Sequence, residues 1–402
     1  MSGNRLPSKR IRYYSLLDGS GYGTSAFGYI EALEEQGFEI IWSPMEWTRY
    51  GMAPWEMLPD SMRSSLTETS ERQNQFAKTI GSSKDYDTVI LHTMPEVYPK
   101  LIEQGKRNIG YTVWETDKLP LHWPACIKVL DHLMVPCKNN QELFNIENGP
   151  KVSVVPHMIE FKNNLKQNQR KKNFRANYQI NENDFVFYTI NSWSPRKAMR
   201  ETVMCYLNAF NNKDNVCLIV KTDEVGPELV GGILHTSRTT RSMIDEMKAP
   251  FDNPAKIVLI DKPISQDEIM QLHLASDCYY SLTHSEGWGL GAYGAASLGK
   301  PVIITGWGGQ TDYLPNQHSY LVDYTLENVV ELLNCESYTV DQRWAHARPN
   351  HAVKLLKHVY NNPDEAKNYG KQLAEHIAIE FSDKEITDQL IDVIYSNSDH
   401  AR

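Results

Sequence analysis

Short runs of strand length that are apolar throughout, separated by longer amphipathic segments, constrain this chain more than any other feature. A strand with one wet face alternates in polarity. A strand apolar at every position is covered on both faces, and the intervening segments must supply helices to cover it. The implied class is α/β, built on parallel sheets. In the first half the runs predict strands at Ile11–Leu17, Phe38–Ser43, Thr88–Thr93, Gly110–Trp114, His132–Pro136 and Val152–Pro156. A helix is predicted over Ser25–Gln36, with Phe27, Ile30 and Leu33 at helical spacing, stopping at Gly37, a residue that tolerates positive φ.

A polar stretch rich in Lys, Asn and Gln, Lys162–Asn183, lacks the apolar content of a core and is read as a boundary. A second series follows, with strands at Phe185–Ile190, Cys217–Lys221, Lys256–Ile260, Cys278–Thr283 and Pro301–Thr305, then helices near His351–Asn361, Pro363–Phe381 and Asp383–Ser396. With 402 residues, and about 150 per domain, two domains fit. They are placed at residues 1–165 and 166–382, with 383–402 as a C-terminal helix that crosses back to the first domain. Two βα domains facing one another would leave a cleft at the carboxyl ends of their strands.

Charge limits the partners. Lys and Arg total 41 against 50 Asp and Glu, a net of −9, so no global field draws the chain to nucleic acid, and an anionic ligand must be held locally. Six scattered cysteines form no CxxC pair, which argues against a zinc knuckle or disulfide framework and fits a reducing, cytoplasmic compartment. No apolar run reaches the roughly 18 residues of a membrane span. Lys9, Arg10 and Arg12 read as a solvated N-terminal arm, with peripheral contact at the inner membrane face as the alternative.

Ser281–Thr305 carries the densest chemical signal: a strand, then His284-Ser285-Glu286, then Gly287, Trp288, Gly289, Leu290 and Gly291 leading into a helix of small residues. Glycines admit a ligand close to the backbone, and a helix N-terminus offers free amides and a positive dipole end to phosphate. In the second series a strand also leads into Asn191–Lys197, where Arg196 and Lys197 stand at a helix start. Cations are disfavoured there unless an anion joins them. Lys221 closes the next strand and points to the same edge.

These two segments resemble retaining GT-B glycosyltransferases with an E-x7-E donor site. The resemblance implies a fold of two Rossmann-like domains and transfer of a sugar from a nucleotide-sugar donor, without metal or other cofactor, to a glycan or lipid-linked acceptor. It implies that Glu286 contacts sugar hydroxyls, that backbone amides of Gly287–Leu290 hold the diphosphate, and that Lys197, with Arg196 beside it, neutralises the leaving group. Two positions depart from the pattern: Gly294 stands where the second Glu binds ribose, and Ser192 where an Arg is usual. A catalytically inactive nucleotide-sugar-binding protein is therefore the alternative reading.

The first half adds weaker candidates. Asp18–Thr24, with Gly19, Gly21 and Gly23, lies between a strand and a helix and resembles the cleft loop of that family; a nicotinamide site is the rival, though Glu39 falls at the start of a strand rather than its end. His92, at a strand's carboxyl end, is expected to contact the transferring sugar. Trp114, Glu115 and Asp117 are expected to form an acceptor platform, and Val154–Ile159 to be the inter-domain hinge. Asp85-Tyr86-Asp87 has a metal-binding D-x-D form but reads as a loop, and the spacing of His346, His351 and His358 is not that of a helical metal site.

Overall fold

A computed structural model describes residues 9–17, 19–48, 51–63, 78–80, 82, 85–158, 173–230, 233–330 and 336–396. Asp18, Ile159 and the 165/166 boundary lie outside them. The chain divides into two compact units: residues 1–114, 119–160 and 382–402 form one, and residues 115–118 with 161–381 form the other.

The first unit is built on a seven-stranded sheet of β1 (Arg10–Leu16), β2 (Glu39–Thr48), β3 (Gly51–Pro54), β4 (Thr88–His92), β5 (Arg107–Tyr111), β6 (His132–Val135) and β7 (Lys151–Val154), in the order β3-β2-β1-β4-β5-β6-β7. All neighbours are parallel except the edge strand β3, which is antiparallel to β2. Chain order reverses between β1 and β4, so their carboxyl ends flank the crevice typical of open α/β sheets. The helix Gly21–Glu35 starts four residues earlier than its apolar spacing indicated, because Ser20 caps it by accepting from the Gly23 amide. Helix Asp383–Tyr395 packs on it, and Arg107 ties the helix end down through the Val393 carbonyl (2.9 Å).

The basic residues near the start are not a solvated arm. Arg10 and Arg12 belong to β1. Arg10 pairs with Glu39 (2.6 Å), and Arg12 lies between Glu56 (3.1 Å), Glu103 (3.4 Å) and the Tyr86 hydroxyl (3.0 Å). No helix among the described residues is long and apolar enough to cross a membrane.

The second unit holds a six-stranded parallel sheet: β8 (Phe185–Ile190), β9 (Val216–Lys221), β12 (Lys256–Ile260), β13 (Cys278–Ser281), β14 (Val302–Thr305) and β15 (Tyr320–Val322), in the order β12-β9-β8-β13-β14-β15. Its reversal lies between β8 and β13. Two antiparallel hairpins, β10 (Val225–Val230) with β11 (Ile233–Thr239) and β16 (Tyr324–Asn328) with β17 (Arg343–Ala347), complete it. The stretch read as a coreless boundary contributes to packing after all. Phe174, Arg175 and Ile180 are buried, and Arg175 reaches Asp277 (2.8 Å) and the carbonyl oxygens of Ala275 (2.8 Å) and Asp184 (3.0 Å). A buried guanidinium is tolerated because its donors are paired.

Candidate functional site

In the second unit, the chain leaves β8 at Ile190 and β13 at Ser281, side by side, and the two following loops are stitched together. The Arg196 carbonyl accepts from the His284 amide (2.8 Å) and from the Thr283 hydroxyl (3.2 Å), while the Arg196 guanidinium donates to the Ser285 carbonyl (2.7 Å). Thr202 adds a further link, donating to the Ala198 carbonyl (2.9 Å) and accepting from the Leu282 amide (3.0 Å). Ala198 is held at φ 45°, a left-handed conformation that costs an L-residue about 1 kcal/mol. That turn fixes the direction of Lys197 immediately before the helix Met199–Ala209.

The result is a pair of opposite charges at the switch point. Lys197 Nζ lies 2.7 and 2.6 Å from the two carboxylate oxygens of Glu286, and Arg196 approaches the same carboxylate at 3.6 Å. Both partners are largely out of water, with side chains 15% and 8% exposed. Burial alone would raise the Glu286 carboxyl, but Lys197 and Arg196 outweigh it and hold Glu286 below the usual carboxylate range. Burial lowers the Lys197 ammonium, and the pairing with Glu286 only partly restores it.

Beyond Glu286, Gly289 caps the helix Leu290–Ser297 at φ 87°. The first internal bond of that helix runs from the Tyr293 amide to the Gly289 carbonyl, so the preceding amides at its start are free of helical partners. The Tyr313 hydroxyl, 3.0 Å from the carbonyl oxygens of both Trp288 and Gly289, steadies the turn, and Trp288 packs its ring against Tyr313 and Tyr293. Gly308, at φ 111°, seats a second loop on Glu286: a Cβ there would come within 2.8 Å of the Glu286 carbonyl, which accepts from the Gly309 amide (2.8 Å). Gly294 is buried within the helix.

Lys221 ends β9, opposite Ile190 in the register, and donates to the Thr222 carbonyl (2.9 Å) at the same carboxyl edge. His284 donates through Nδ1 to the Ala345 carbonyl (2.9 Å) and stacks between Trp344 and His346; burial and His346 push its pKa down to about 3, so the ring is neutral. Among the described residues no group of three or more His, Cys, Asp or Glu side chains is placed to hold a metal ion.

The first-half candidates sit differently. His92 is fully buried, with Nδ1 2.9 Å from the Tyr13 hydroxyl and Nε2 3.1 Å from Ser25 Oγ, and stacks at 4.3 Å on Tyr111. Both ring nitrogens are engaged inside the unit, where the expectation from sequence is a contact with the transferring sugar. Trp114 is likewise a core residue, 4% exposed and edge-on to Trp123, with Asn140 bridging its backbone. Glu115 and Asp117 belong to the second unit and are taken by its own side chains, Glu115 by Tyr338 and Arg196 and Asp117 by Arg343. Gly21 opens the first helix of the first unit. Glu39 opens β2 and is bound to Arg10, so it does not sit where a dinucleotide ribose would need it. His157, in the expected hinge, is buried beside Tyr111 (3.1 Å).

No protein-family model matches the sequence, and no curated protein matches it. Solved structures do. The sucrose-phosphate synthase of Thermosynechococcus elongatus superposes with a TM-score of 0.63 at 14% identity, covering 96% of this chain and 98% of that one. Anabaena HepE, crystallised in complex with UDP and glucose, superposes with a TM-score of 0.60 at 12% identity, covering 97% and 99%. Staphylococcus aureus TarM matches with a TM-score of 0.52 at 13% identity over 77% of this chain, which spans 55% of TarM's length. The chain has the GT-B fold, two Rossmann-like α/β units.

Proposed function

We propose that the chain is a glycosyltransferase that moves a sugar from a nucleotide-sugar donor to a glycan or lipid-linked acceptor, with retention of configuration and with charge neutralised by side chains rather than by a divalent ion. One observation carries the reading: the fold brings the adjacent Arg196 and Lys197 to Glu286, 89 or more residues further along the chain, at the reversal point of one sheet beside a glycine-capped helix start. The fold shared with HepE, whose crystals contain UDP and glucose, supports it.

In this account the diphosphate lies against the amides at the start of helix Leu290–Ser297. As the glycosyl bond breaks, negative charge grows on the departing phosphate. Lys197 and Arg196, already oriented and partly desolvated, stabilise that charge more in the transition state than in the ground state. Glu286, released from Lys197, orients sugar hydroxyls. Trp288 acts through the turn it anchors, and Lys221 stands at the outer edge of the site. His92 is left out of the reacting set and serves the first unit's core.

The second reading, a protein that binds nucleotide sugar without turning it over, is favoured by Gly294, which leaves the family's ribose carboxylate unprovided. A screen of nucleotide sugars for binding, followed by an assay for nucleoside diphosphate release with candidate acceptors, separates the two. Release supports transfer, and tight binding with no release under any acceptor supports the second reading.

A further inference from the structure

The acceptors around the Arg196 guanidinium include the Ser285 carbonyl at 2.7 Å, Glu115 at 3.4 Å and Glu286 at 3.6 Å. Glu115 is itself anchored, accepting from the Tyr338 hydroxyl at 2.9 Å. Two residues on, Asp117 accepts from the Arg343 amide (2.6 Å) and Nε (2.8 Å), and Lys118 donates to the Asp341 carbonyl (2.8 Å). The segment 115–118 is thus fastened to the second unit at both carboxylates, although its chain neighbours on either side, Trp114 and Leu119, belong to the first. Side chains of Glu115 and Arg196 are 14% and 19% exposed, so the pair is mostly shielded from water. With Lys197 and Glu286, two positive and two negative charges close to a neutral cluster.

We infer that Glu115 is a counter-carboxylate for the anion site: it holds Arg196 in place of a diphosphate, and the donor binds by taking that guanidinium over from it. This rests on the diphosphate reading given above. Glu115 is then a positioning residue that acts through Arg196. Its anchoring by Tyr338 keeps the guanidinium aimed between the two loops rather than collapsed onto Glu286. The same charge lowers the cluster's attraction for an anion, so affinity is traded for exchange and release. Removing the negative charge, with the side chain's shape kept, leaves the cluster one charge positive in a partly desolvated place, where unit charges several ångströms apart interact appreciably.

Calorimetric titration of the full chain with UDP and with inorganic pyrophosphate tests this. Glu115→Gln is expected to tighten both by about tenfold at low salt, with the gain shrinking as salt is raised. Glu115→Asp should restore affinity close to that of the unaltered chain, and Tyr338→Phe should give a gain of about twofold. A folded Glu115→Gln chain that binds UDP equally or more weakly overturns the inference while leaving the diphosphate reading in place. If Glu115→Gln does not fold, Tyr338→Phe decides, and no gain there overturns it. If the unaltered chain binds neither probe, or binds pyrophosphate with an affinity that Lys197→Ala leaves unchanged, the diphosphate reading itself fails and takes the inference with it.

Discussion

Each unit buries a cluster of polar side chains near the reversal of its sheet, around His92 at the end of β4 and around Glu286 after β8 and β13, and the two clusters treat charge in opposite ways. In the first unit, His92, Tyr13, Ser25, Tyr29, Tyr111 and His157 form a network of neutral groups. Burial, then His157, lowers His92 well below the usual histidine range, and burial brings His157 to about 3, so both rings are neutral imidazoles near neutrality. In the second unit, Lys197, Arg196, Glu286 and Glu115 keep their charges as close pairs beside free helix amides. A neutral network satisfied from within is built to hold a core together. A charged one, held by its own countercharges together with the Ser285 carbonyl and the Tyr338 hydroxyl, suits the partner exchange proposed above.

The largest effect should come from breaking the charged cluster. Lys197→Ala is expected to lower nucleoside diphosphate release by at least about a hundredfold, equivalent to about 3 kcal/mol of lost transition-state stabilisation, with the far-ultraviolet circular dichroism unchanged. Retained turnover removes Lys197 from the chemistry. The corresponding lesion in the neutral cluster should be structural. His92→Leu strands the Tyr13 hydroxyl in the core, while Ser25 keeps its bond to the Tyr22 carbonyl (3.1 Å), and urea denaturation should show a loss of about 2 kcal/mol while the affinity for UDP stays as it was. A large change in affinity with stability intact would return His92 to the binding site.

A smaller effect is a loss of stability in acid, to which His157 contributes. His157 takes a proton at about 6.5 when unfolded and only at about 3 when folded, so the unfolded state binds more protons throughout that interval. Stability contributed by the neutral cluster is therefore complete above pH 6.5 and falls on acidification, by about 1 kcal/mol per pH unit. Glu286, held below its ordinary 4.5, contributes stability that is present above that value and is lost only as pH falls through its lower folded value. Denaturation midpoints measured from pH 8 to 4 should start to decline near 6.5, and His157→Gln should make that decline shallower without abolishing it, because His273 and His284 of the second unit, each also held at about 3, contribute to it. A flat profile down to pH 5 in the unaltered chain contradicts the neutral-core account.

The sheets, the glycine turn and the place of Lys197 just before a helix were legible in the sequence because each is written in local pattern: apolar runs, alternating glycines before small residues, a cation at a helix start. What was missed depends on contacts distant along the chain. The β10–β11 and β16–β17 hairpins alternate or run polar, so no apolar run announced them, yet β17 supplies Trp344 and His346 against His284. Glu115 and Asp117 read as free acids because their partners, Arg196, Tyr338 and Arg343, lie 81 to 226 residues away. The burial of His92 and Trp114 was not legible for a related reason. A position at a strand's carboxyl end sets where a residue sits, but neighbours from Tyr13 to His157 decide whether its side chain is open.

The central claim is that the second unit's charged cluster exchanges its own carboxylates for a diphosphate. Crystals soaked with UDP test it most directly. The account predicts phosphate oxygens within hydrogen-bond reach of Lys197 Nζ and of the amides of residues 289–291, with the Lys197–Glu286 pair opened. A diphosphate bound elsewhere, or that pair intact in a UDP-loaded crystal, would contradict it.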